Sequence, residues 1–112
     1  MGIIGRALSP DLAEAMNLSE DQNGILVLGV TPRGPAANAG INAGNLEASI
    51  NGELVDLGGD VITAIDGQAV KRFEDMVSYL FNKTAVGQAV KLTVLRAGNE
   101  QIIELILGAR PD

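Results

Sequence analysis

Gly59-Asp60-Val61-Ile62-Thr63-Ala64-Ile65-Asp66-Gly67 is a run of aliphatic and β-branched residues closed by turn chemistry, and it reads as a strand over 61–65 followed by a tight turn. Beyond a short extended Ala69-Val70, apolar residues recur at Phe73, Met76, Val77, Leu80 and Phe81, the spacing of one helical face. Glu74 and Asp75 fall in the first turn of that helix and Lys83 near its end, the charge order its dipole favours. After Gly87, segments 89–95 and 101–107 form a hairpin across Ala97-Gly98-Asn99-Glu100.

Working upstream, Gly34-Pro35-Ala36-Ala37-Asn38-Ala39-Gly40 reads as one helical turn, with Pro35 preset for the first helical position and Gly40 able to take the left-handed C′ conformation. Its small residues suit close packing on a sheet, and no ligand is assigned to it. Gly24-Ile25-Leu26-Val27-Leu28-Gly29-Val30 is continuous and apolar, as in a strand buried on both faces. Ile3, Ile4, Ala7 and Leu8 form a first short strand stopped by Ser9-Pro10, where Ser9 caps a helix over 10–17 that presents Leu12, Ala15 and Met16. Asn51-Gly52 lies between 46–50 and 53–57 and is a strong hairpin signal, because both central positions of a type I′ turn need positive φ. Leu46, Ala48 and Ile50 mark one face of its first arm, and Leu54 is offset from Leu57 on the second, a partial alternation that implies a half-buried ribbon.

The 112 residues fit one domain, and a 46% hydrophobic content supplies a core built from Val, Ile, Leu and Ala, since there are only two Phe, one Tyr and no Trp. A net charge of −6, with eight scattered Lys and Arg, argues against nucleic acid as a partner. No segment approaches the roughly 18 apolar residues of a membrane helix. Met1 leads into Gly2-Ile3-Ile4-Gly5-Arg6 without the basic region and cleavage site of a signal peptide.

Without His, a Ser-His-Asp triad cannot be assembled, and without Cys there are neither disulfides nor thiolate metal sites. Ser9, Ser19, Ser49 and Ser78 lack a nucleophile-elbow context, and no glycine-rich phosphate loop is present. The carboxylate pairs Glu20-Asp21 and Glu74-Asp75 are explained by a loop and a helix start. No catalytic residue, metal ligand or cofactor is assigned. Asn17-Leu18-Ser19 and Asn82-Lys83-Thr84 match the glycosylation sequon, a pattern frequent by chance.

The order of these segments, Gly-Pro-Ala-Ala-Asn-Ala-Gly-Ile, Gly-Asp-Val-Ile-Thr-Ala-Ile-Asp-Gly, a helix, Val86-Gly87 and a final Val-Leu-Arg-Ala-Gly hairpin, resembles the PDZ domains of HtrA/Do-type serine proteases. The resemblance runs from about Gly2 to Gly108. It implies a mainly β, α+β fold: a partly open antiparallel β-barrel or sandwich of about five to six strands, capped by two to three short helices. The domain would span 1–108 with 46–57 as an inserted hairpin, and 109–112 would be a linker stub. Residues 45–57 interrupt what is commonly a direct Ala-Gly-Asp-Val-Ile run in that family.

The resemblance further implies a peptide-binding regulatory module of a trypsin-like protease that precedes it in the chain, in an extracytoplasmic setting: periplasmic, secreted or membrane-anchored. Its partners would be C-terminal or extended hydrophobic peptides and the attached or neighbouring protease domain. A peptide would add as a strand along Ile3, Ile4, Gly5 and Arg6, facing the 73–82 helix. Gly2 and Ile3 match the loop whose N–H groups receive the terminal carboxylate, and Phe73, Val77 and Leu80 match groove-facing positions. Met76, if turned the same way, would make the pocket adaptable.

Met76 and Phe81 read as core before pocket, while Val77 and Leu80 stand open between the two. Ile3 and Ile4 face opposite ways, with Ile3 the better candidate for the pocket. Gly2 could be only a disordered terminus, and Arg6 only an edge charge that discourages strand pairing. Two other functions fit the same segments: an assembly module that docks a neighbouring protease domain, and a PDZ domain of another membrane-linked protease or of a secretion component.

Overall fold

The computed structural model describes residues 2–50, 52–85, 87–96 and 98–107. Of the positions singled out above, Met1, Asn51, Val86, Ala97, Gly108 and the 109–112 stub lie outside them. The chain runs β1 (Ile3–Ala7), α1 (Pro10–Ala15), β2 (Ile25–Val30), α2 (Pro35–Ala39), β3 (Leu46–Ile50), β4 (Glu53–Leu57), β5 (Val61–Ile65), β6 (Gln68–Ala69), α3 (Phe73–Lys83), β7 (Ala89–Arg96) and β8 (Asn99–Ile106). An antiparallel sheet has the order β1-β2-β5-β7-β8 with β6 on β5, and β3 and β4 form a separate ribbon. The main sheet stays open rather than closing into a barrel: among the described residues β1 and β8 each pair on one side only.

Local chemistry explains the short helices. Ser9 is extended, its Oγ accepts the Leu12 N–H at 3.2 Å, and Pro10 follows. The helix stops at Ala15, and Asn17 turns the chain at φ +60°. Of the expected Leu12, Ala15 and Met16, Leu12 is buried and Met16 packs on the same cluster, but Ala13 is buried where Ala15 is exposed. In α2, Gly40 adopts φ +91° and Ile41 donates to the Ala36 carbonyl at 3.0 Å, the expected left-handed close.

Strand β2 divides the core. Ile25 and Val27 face a cluster with Ile62, Ile65, Met76, Leu92 and Leu105, while Leu26 faces a second with Leu12, Val55, Leu57 and Val61. All three β2 residues are fully buried, as a doubly covered strand requires. The ribbon supplies much of the second cover: Val55 and Leu57 are buried, with Ala48 and Ile50 packed beside them. The inward residue of β4 is thus Val55, opposite Ala48 in the register, whereas Leu54 points outward and is 68% exposed. Alternation from Leu57 selects residue 55 and excludes 54.

One buried ion pair ties distant segments together. Asp60 is 1% exposed and receives two bonds from Arg96, Nε at 2.9 Å and Nη2 at 2.7 Å, while Arg96 Nη2 also donates to the Gly40 carbonyl at 2.8 Å. The Asn42 N–H donates to Asp60 Oδ2 at 2.9 Å. The hydrogen bond from Arg96 to Asp60 pushes the guanidinium pKa above its ordinary value. The end of α2, the start of β5 and the end of β7 are thereby fixed to one another.

Candidate functional site

Strand β1 is an edge. It pairs with β2 alone, in the register Ile3↔Val30 and Ile4↔Gly29, then, after a bulge, Gly5↔Val27 and Arg6↔Leu26. Its outer backbone groups have no strand partner among the described residues, the condition for accepting an added strand. Side chains alternate along it: Ile3, Gly5 and Ala7 are half-buried, Ile4 and Arg6 exposed. Ile3 packs on the core cluster that also takes Phe73 and Leu80, so its side chain points to the α3 side.

Two glycines shape the strand. Gly2 has φ +75° and its carbonyl accepts the Thr31 N–H at 2.8 Å, so it is fastened to the β2–α2 loop and is not a free terminus. At Gly5 a Cβ would stand 2.7 Å from Ile25 Cγ2, 3.1 Å from the Leu26 carbonyl oxygen and 3.7 Å from Phe73 Cδ2. Only glycine lets the strand pass this close to the core and to the Phe73 ring.

On α3, Phe73, Val77 and Leu80 form a stripe at offsets of four and three residues. Phe73 and Leu80 are half-buried against the core, and Val77 is 50% exposed. Met76 is 1% exposed inside the core cluster, the first of its two readings, and this corrects its place among the pocket residues: on this helix the residue before Val77 points inward and offers a ligand no surface. Phe81 departs from the core reading in the other direction. It is 87% exposed: one turn beyond Val77, it lies on the same outward side of the helix, while Leu80 beside it packs on the core.

Helix α3 is held from the flank away from β1. Arg72, at the N-cap, cannot accept a hydrogen bond, so Asp75 reaches back and its Oδ2 accepts the Lys71 and Arg72 N–H groups at 3.0 and 3.1 Å. Tyr79 donates its hydroxyl to Asp66 Oδ2 at 2.7 Å, and Asp66 Oδ1 accepts the Lys91 N–H at 2.8 Å. Asp66 itself sits at φ +49° in the turn after β5. The carboxylate that accepts the Tyr79 hydrogen bond raises the phenol above its ordinary pKa. A cleft of about 440 Å³ on this same flank is lined by Gln68, Lys71, Asp75, Ser78, Tyr79 and Asn82 and lies apart from the β1 edge.

The backbone N–H groups of Lys71 and Arg72 hold the Asp75 carboxyl below the ordinary aspartate range. A carboxyl lowered by folding adds stability that is present above its unfolded pKa and lost as pH falls through the folded one. The parent domain is therefore expected to melt above an Asp75→Asn variant near pH 7. The gap should close as pH falls below the ordinary aspartate range and through the lowered folded-state pKa, as followed by thermal melts across acidic pH.

Residues 10–107 match the family model described as PDZ domain. A probable periplasmic serine protease of the Do/HhoA-like type from Haemophilus influenzae is 33% identical over 109 residues, covering 97% of this chain and 20% of that protein. The chloroplastic protease Do-like 1 of Arabidopsis thaliana is 33% identical over 111 residues, covering 98% of this chain and 23% of that protein. The chain thus spans about a fifth of the length of these curated relatives. Among solved structures, the HtrA-type protease AlgW with a decapeptide superposes with a TM-score of 0.72 at 32% identity, covering 99% of this chain and 29% of that one. The HtrA3 PDZ domain bound to a phage-derived ligand shares the fold at a TM-score of 0.68 and 20% identity, covering 95% of this chain and 81% of that one. With a family model matched along most of its length, the chain belongs to the PDZ domain family, and its similarity runs to the PDZ regions of HtrA/Do-type serine proteases.

Proposed function

We propose that this domain captures hydrophobic C-termini of unfolded or cleaved proteins by β-strand addition between β1 and α3, on behalf of an attached trypsin-like protease. The observation that carries the reading is the unpaired edge of β1 facing the Phe73–Val77–Leu80 stripe, with Val77 half-exposed between two half-buried neighbours. Backbone bonds along Ile3, Ile4, Gly5 and Arg6 supply affinity, and the stripe with Ile3 supplies an apolar pocket. The Gly2-Ile3 entry receives the carboxylate through backbone N–H groups. Met76 supports the helix from beneath. The peptides carried by a similar HtrA-type protease and by the HtrA3 PDZ domain support this reading. So does the absence of His, which leaves this chain no triad of its own. The domain extends over 1–108 with 46–57 as an insertion and 109–112 as a linker, and the whole protein works outside the cytoplasm, in keeping with periplasmic relatives.

A fluorescein-labelled decapeptide, valine at its last and third-from-last positions and serine elsewhere, tests capture by fluorescence anisotropy. The free C-terminus is expected to bind at least about tenfold more tightly than the amidated one, since the amide removes the charge the N–H groups receive. Equal affinities would overturn carboxylate capture. The exposed apolar residues outside the groove, Phe81 at 87% and Leu46 and Leu54 on the ribbon at 64% and 68%, favour assembly as the second reading. Self-association without peptide binding would establish it.

A further inference from the structure

The β3–β4 ribbon touches the proposed binding strand through one polar contact: Arg6 Nη1 of β1 donates to Glu53 Oε1 of β4. Both side chains are partly in water, 42% and 62% exposed, so neither is needed to fill the core. The core of the ribbon is Val55 and Leu57, and Glu53, which pairs with Ile50 and follows Gly52, lies at the end of the ribbon that reaches β1.

A peptide whose carboxylate sits at Gly2 and Ile3 runs antiparallel to β1. Directly opposed residues of an antiparallel pair share a face. Counting back from the terminus, the last and third-from-last residues then lie opposite Ile3 and Gly5, on the α3 side. The second and fourth from last lie opposite Ile4 and Arg6, on the face that the ribbon borders. Ile4 is 65% exposed there.

Resting on the groove reading above, we infer that the Arg6–Glu53 pair sets the charge preference of this domain for the fourth-from-last side chain of a bound peptide. A guanidinium directly opposite that side chain would on its own favour a carboxylate. Glu53 neutralises it and disfavours acidic residues by its own charge. The inserted ribbon thereby acts as a counter-charge that broadens the range of sequences the edge accepts, and its presence beside an otherwise positive strand position has a function.

The test uses the same labelled decapeptide with Asp or Lys at the fourth-from-last position, titrated against parent, Glu53→Gln, Arg6→Gln and the double variant. In the parent the two peptides are expected to bind within about twofold of each other. Glu53→Gln should favour the Asp peptide by about two- to fivefold, Arg6→Gln should favour the Lys peptide by a similar factor, and the double variant should return to parity. Glu47→Gln changes net charge equally at the far end of the ribbon and is expected to leave the ratio at the parent value. An unchanged ratio in Glu53→Gln, or the same shift in Glu47→Gln, overturns the inference while leaving the groove intact. Absence of binding by every peptide overturns the groove and this inference together.

Discussion

A Val77→Asp domain is expected to fold as the parent does and to lose peptide affinity by about a hundredfold or more. Val77 is half-exposed, so in the free domain a carboxylate at its place stays hydrated and costs little. An added strand would cover it against apolar side chains, and losing that water without a partner costs about 3 kcal/mol or more. That converts to roughly two orders of magnitude in Kd. Circular dichroism melts and anisotropy titrations on the same preparation check both halves. Unfolding would assign Val77 to the core, and unchanged affinity would move the ligand away from α3.

Asp60→Ala should cost about 3 kcal/mol of stability, more than any surface change in the domain. Its carboxylate is 1% exposed and accepts bonds from Arg96 and from the Asn42 N–H. Removing it strands a guanidinium and a backbone donor in a cavity the size of the lost side chain. The Arg96 side chain is 31% exposed and regains some water, which holds the cost at the low end of the range for broken buried pairs. Urea denaturation would read this as a fall in midpoint at constant slope. A change below about 1 kcal/mol would mean that the pair does not fasten β5 to β7.

Where the controlling interaction is local, the sequence was informative. Ser9-Pro10, Pro35 with Gly40, and the 3.6-residue period of α3 each involve residues within one or two turns of each other, and all three stand where their chemistry put them. Errors arose where an element offers two faces of similar composition. Ala13 and Ala15 are chemically identical, and only the docking angle of α1 chooses between them. Leu54 and Val55 are both apolar, and the register with Ala48 decides. Phe81 fits the apolar period of α3 yet lies on its outward side, one turn beyond the half-exposed Val77. Long-range polar pairs were illegible for a different reason. Asp60 and Arg96 are 36 residues apart and Asp66 and Tyr79 thirteen, and no local spacing marks such partners. Burial separates the residues of α3 that the apolar period alone leaves together: Met76 lies in the core, as its first reading had it, whereas Val77 is half-exposed.

Gly5 has a consequence for how such a domain can change over generations. A Cβ there would stand 2.7 Å from Ile25 Cγ2 and 3.1 Å from the Leu26 carbonyl oxygen, so a substitution at the middle of the proposed binding strand is expected to shift the strand or the core beneath it before it alters a ligand contact. The rim residues, Val77 on one side and Ile4, Arg6 and Glu53 on the other, carry no such penalty. On the proposed groove reading, changes of ligand preference would then come more easily at the two walls than at the slot between them.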